Sequence, residues 1–114
     1  MHGGKDHGGK DLGPRPKSLM LVALGGCTGM DVVSILKKMR VDYNSLEIVV
    51  EGDTAEEHPK KFINMKVIYN FTGTNLPLDK IQKAVDMSKD KYCGVYASYK
   101  DSIHIDHVIN IIAV

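Results

Sequence analysis

The stretch PKSLMLVALGGCTGMDVVSILKKMR, residues 16–40, limits what this chain can fold into more than any other feature. From Leu19 to Leu24 every residue is apolar, and a helix that is apolar all round must be covered all round. Beyond Cys27 the pattern turns amphipathic, with Met30, Val33 and Leu36 at helical spacing and Asp31, Ser34 and Lys38 nearer the polar side. Between the halves, Gly25, Gly26 and Gly29 each lower helix propensity by roughly 1 kcal/mol relative to alanine. Either a break or a close backbone approach is expected there. Thr28-Gly29-Met30-Asp31 fits a capping box, so one reading starts a helix at Thr28. Cys27 then lies beside a helix N-terminus, whose partial positive charge favours a thiolate nucleophile. The other reading makes Cys27 a small buried hydrophobe between packed elements.

A chain of 114 residues is long enough for one core, with residues 1–12 expected as a flexible glycine-rich lead and 13–114 as the folded domain. A formal net charge of +1 provides no basic field for nucleic acid. The uncharged run from Ser18 to Met30 is too short to span a bilayer, and no secretory signal is evident. The expected location is cytoplasmic, with no membrane partner. Two cysteines in a reducing compartment point to reactive or buried thiols rather than a disulfide framework.

The lead repeats His-Gly-Gly-Lys-Asp at residues 2–6 and 7–11. Glycines fix no geometry around His2 and His7, so no metal site and no cofactor is expected. Pro16 suits a first helical turn. Strands are expected at 46–51 and 62–71, where apolar and polar residues alternate; the second places Ile63, Met65, Val67, Tyr69 and Phe71 on one face. An antiparallel pair joined by a charged loop is the simplest arrangement. Pro77 opens an amphipathic helix to about residue 90, with Leu78, Ile81, Ala84 and Val85 as its stripe. Cys93 follows within Tyr-Cys-Gly-Val-Tyr, and a last strand at 102–112 carries His107 on an otherwise aliphatic face. His107 reads as a satisfied core or edge histidine rather than a base.

GPRPKSLMLVALGGCTGMDVVSILKKMR, the EEHPKKF connection and KYCGVYASYK after a short amphipathic helix together resemble the OsmC/Ohr family, from about residue 10 to the end. The resemblance implies an α+β fold in which a buried, cysteine-bearing central helix packs on an antiparallel sheet, and an intertwined homodimer with sites at the subunit interface. It also implies a peroxidase acting on organic hydroperoxides in oxidative-stress defence. Cys27 matches the attacking cysteine and Cys93 the resolving one, and a dithiol reductant reopens their disulfide. The family's glutamate before the first cysteine is replaced by Lys17 and Ser18, and no N-terminal strand segment carrying its arginine precedes His2. Arg15 and Thr28 are the supporting candidates near Cys27. The alternative is a non-catalytic module of the same family that holds a small hydrophobic ligand at the dimer interface.

Overall fold

The computed structural model of the chain describes residues 16–114. Arg15 and the 1–12 lead lie outside the described residues. The elements run in the order α1 (Pro16–Lys38), β1 (Ser45–Thr54), β2 (Phe62–Gly73), α2 (Leu78–Met87), a π-helical turn (Ser88–Tyr92), α3 (Gly94–Tyr99) and β3 (His104–Ala113). This is the α+β architecture the sequence calls for.

No break interrupts α1. It is one helix of 23 residues, and the glycines serve the close approach instead. A Cβ on Gly25 would lie 2.7 Å from Val50 Cγ2, and one on Gly29 2.6 Å from Ile48 Cδ1. Spaced four apart, the two share one helix face, so β1 lies against α1 more closely than any side chain would permit. The helix therefore does not start at Thr28. The Thr28 hydroxyl is fully buried in the helix interior and donates to the Leu24 carbonyl at 2.9 Å, as mid-helix threonines do.

The cover on α1 is also one-sided within the chain. Leu24, Val32 and Leu36 are fully buried, but Val22 is 64% exposed, Met30 77% and Val33 44%. At its C-terminal end the Val41 N–H bonds to the Leu36 carbonyl and the Arg40 N–H to the Lys37 carbonyl, with Arg40 at φ 59°. This is the Schellman arrangement, with buried Leu36 and Val41 as its apolar contact.

The sheet order is β1-β2-β3. β1 and β2 are antiparallel as expected, but β3 pairs with β2 in parallel, so the sheet is mixed rather than antiparallel. The reason lies in the connection: α2, the π turn and α3 carry the chain back over the sheet, and a crossover of that length delivers a parallel neighbour. Met65, Val67, Tyr69 and Phe71 face the helices and are buried. Ile63 is turned outward and Phe62 inward, because the register shifts at Asp53/Thr54. The opposite sheet face is mixed: Asn70 bonds Glu47 and Asn110 bonds Asn70, while Val49, Ile68 and Val108 lie side by side in an apolar row.

Candidate functional site

Cys27 sits in the middle of α1, partly buried, with its backbone inside the helix. The helix-terminal field expected at Cys27 is therefore absent. What the fold supplies instead is Cys93. Although 93 − 27 = 66 positions separate them, both cysteines are free thiols and their sulfurs, with a carboxylate oxygen of Asp31, lie within 4.8 Å of one another. Asp31 is four residues beyond Cys27 and so shares its helix face. Its carboxylate does not reach back to cap a helix. It accepts from the Ser88 hydroxyl at 3.0 Å.

Ser88 ties the site together. Its side chain is fully buried; its hydroxyl holds Asp31, and its carbonyl accepts the Cys93 N–H at 2.7 Å. That second bond spans five residues, the mark of a π turn, and such turns recur at functional sites. Cys93 is only 3% exposed, and its sulfur accepts the Tyr96 N–H at 3.3 Å at the start of α3. Burial pushes the Cys93 thiol up to about 11, helped by its hydrogen bond with Cys27 and opposed by the Tyr96 N–H.

Tyr69 forms the floor beside the sulfurs. Burial, with smaller contributions from Cys93 and Asp31, raises its phenol to about 12. Thr28 lies beside that hydroxyl and is the largest opposing influence, but Thr28 gives its own hydrogen to Leu24, and no hydrogen bond of good geometry from the described residues reaches Tyr69 Oη. Next to Tyr69, His107 stacks on its ring at 6.2 Å between centroids and meets Tyr96 edge-on at 5.4 Å. Both His107 ring nitrogens are buried without a partner among the described residues. The satisfied histidine expected from the sequence is therefore unsatisfied, and burial lowers it to about 4.

Of the residues singled out in the sequence, Cys27 and Cys93 meet at one point, Thr28 lies one helical position away, and Arg15 falls outside the described residues. Asp31 and Ser88 are the additions. Asp31 could have been found from its i,i+4 spacing to Cys27, whereas nothing in Ser88-Lys89-Asp90-Lys91 signals a buried hydroxyl. Among the recesses that adjoin the helix are a cavity of about 300 Å³ that reaches Asp31 beside Ile35, Lys38, Met87 and Tyr92, and an apolar groove of about 920 Å³ between α1 and β1, lined by Met30, Val33, Tyr43, Leu46 and Ile48.

Residues 8–108 match the sequence profile of the family described as OsmC-like protein. The chain is 35% identical over 103 residues to Protein YhfA of Escherichia coli (strain K12), covering 90% of this chain and 77% of that one. A hypothetical protein from Aquifex aeolicus VF5 superposes with a TM-score of 0.84 at 32% identity, covering 91% of this chain and 78% of the other. An organic hydroperoxide resistance protein OsmC from Legionella pneumophila shares the fold at 11% identity and a TM-score of 0.73, over 96% and 79% of the two chains. With a profile match over most of its length and a dithiol site between its central helix and its crossover connection, this chain belongs to the OsmC-like protein family.

Proposed function

We propose that the chain is a thiol-dependent peroxidase that reduces organic hydroperoxides with Cys27 and Cys93. The observation that carries this reading is the meeting of two free thiols from distant parts of the chain beside a carboxylate. The Cys27 thiolate attacks the outer peroxide oxygen and the O–O bond breaks. This leaves a sulfenic acid on Cys27 and an alkoxide that takes up a proton and departs as the alcohol. Cys93, as its thiolate, then attacks the Cys27 sulfur, expels the hydroxyl as water and closes a disulfide. A dithiol reductant reopens it by exchange and is itself oxidised. Asp31 lies within reach of both sulfurs and is suited to carry the proton that Cys93 must lose. The Legionella protein of this fold is an organic hydroperoxide resistance protein, which agrees with the substrate class.

The protein works as a homodimer in this reading, with the exposed apolar face of α1 and the α1–β1 groove covered by a second copy. It acts in the cytoplasm, with α1 as a core helix rather than a membrane span, although by length and composition alone α1 would serve as one. The groove also favours a second reading, in which the chain binds a small hydrophobic ligand there and the thiols stay idle.

One equivalent of an organic hydroperoxide, followed by alkylation and mass spectrometry, separates the two. The peroxidase yields a Cys27–Cys93 disulfide, with faster loss of organic hydroperoxide than of hydrogen peroxide when a dithiol is present. Cys93→Ser leaves Cys27 as a sulfenic acid, and Cys27→Ser abolishes consumption. Two thiols still fully alkylatable after peroxide would overturn the proposal and leave the ligand-binding reading.

A further inference from the structure

We propose that reduced Cys27 and Cys93, together with Asp31, bind a single thiophilic divalent cation of the zinc type. The inference uses the thiol pair of the proposed peroxidatic site, but does not depend on that pair turning over peroxide.

Three side chains from two separate parts of the chain offer one ligand atom each, two sulfurs and one oxygen, all within 4.8 Å of one another. Donors on a tetrahedral zinc, at about 2.3 Å for sulfur and 2.0–2.2 Å for oxygen, lie roughly 3.5–3.8 Å apart. Small side-chain rotations close the difference, and α1 already fixes Cys27 and Asp31 on one face. Soft thiolates with one harder carboxylate select zinc-like ions over magnesium or calcium, which require oxygen donors.

The surroundings resemble those of a built site. The Asp31 carboxylate is oriented by the fully buried Ser88 hydroxyl at 3.0 Å, the kind of outer partner that metal-ligating carboxylates keep. No lysine or arginine among the described residues forms a salt bridge with Asp31; the ion pair recorded among those residues, His104–Asp106, lies exposed on β3. A cavity of about 300 Å³ opens beside Asp31, on the side of the cluster away from the sulfurs, which do not line it. On binding, each thiol gives up its proton to solvent and both sulfurs coordinate, leaving a fourth position for water. Metal and disulfide cannot occupy these sulfurs together, so the cation holds the reduced state and peroxide competes with it.

The test uses the full chain, reduced and stripped of metal, titrated with Co²⁺ and then Zn²⁺. One Co²⁺ per chain should bind with a thiolate-to-cobalt charge-transfer band, Zn²⁺ should displace it, and bound Zn²⁺ should protect both thiols from alkylation. Asp31→Asn and Ser88→Ala should each weaken binding by roughly 10–100-fold, and either cysteine-to-serine change should diminish the charge-transfer band. X-ray absorption of the zinc form of the unaltered chain reads the same ligand set without any variant, as two sulfurs and lighter donors. Absence of the charge-transfer band, metal binding that survives loss of both cysteines, or a sulfur count other than two would overturn the proposal. Because these readouts need no turnover, a chain that consumes no peroxide still tests it, and a chain that consumes peroxide but takes no metal refutes it alone.

Discussion

His107 shows how a single side chain can set the acid limit of this domain. Lying between the Tyr69 and Tyr96 rings with both nitrogens buried and without a partner among the described residues, it holds its proton only below about pH 4, against 6.5 ordinarily. Burial is the main cause; Lys89 also lowers it, while Asp106 and Asp86 raise it. Between pH 6.5 and 4 the unfolded chain therefore binds a proton that the folded chain does not, and stability falls as the pH drops through that window. Thermal melts at pH 7 and pH 5 should show this loss in the wild type, and a much smaller one in His107→Phe. Equal losses in both would place the pH sensitivity elsewhere. The sequence marks His107 as the odd residue on an aliphatic strand but is silent on its partners, which come from β2 and α3. The same holds for the thiols. Cys27 and Cys93 are visible as chemical candidates, yet their meeting and the Ser88 link depend on a π turn that no local pattern announces.

Two tests at the level of the elements address how α1 is packed and ended. Gly25→Ala drives a methyl group against Val50 Cγ2 on a stiff, branched side chain, and should destabilise by about 1–3 kcal/mol despite better helix propensity. Gly29→Ala meets the movable end of Ile48 and should lose less. Gly26→Ala meets nothing within 4 Å among the described residues and should gain up to about 1 kcal/mol; a loss would show that this face is covered by something beyond them. Arg40 takes a left-handed conformation that favours glycine, so Arg40→Gly should raise the urea midpoint by the equivalent of about 0.5–1 kcal/mol with the slope unchanged. Periodicity alone reveals β1, β2, α2 and the helical nature of α1, because half-buried elements repeat their apolar residues at 2 or 3.6. It cannot reveal the direction of β3, since Ile105, His107 and Ile109 alternate identically in a parallel or an antiparallel partner. Propensity also points toward a break at 25–29, where packing against β1 outweighs it.

For the molecule as a whole, Val22, Met30 and Val33 remain open on a helix whose opposite face is fully covered. Val33→Glu should leave the monomer folded, because that side chain is already 44% exposed, while preventing the proposed dimer. Sedimentation should give a dimer for the wild type at micromolar concentration and a monomer for the variant; a wild-type monomer would count against the dimer. The position of the two sulfurs also bears on how long a molecule lasts. Cys27 lies on the first element and Cys93 in the connection leading to the last strand, so a bond between them would enclose β1, β2 and α2 in one covalent loop. For a loop of that size the chain-entropy model allows about 4 kcal/mol of added stability. An oxidised molecule would open far less often than a reduced one, and proteases act on opened chains. Peroxide would thus lengthen the lifetime of each molecule it oxidises, and the reductant would restore both the thiols and ordinary turnover.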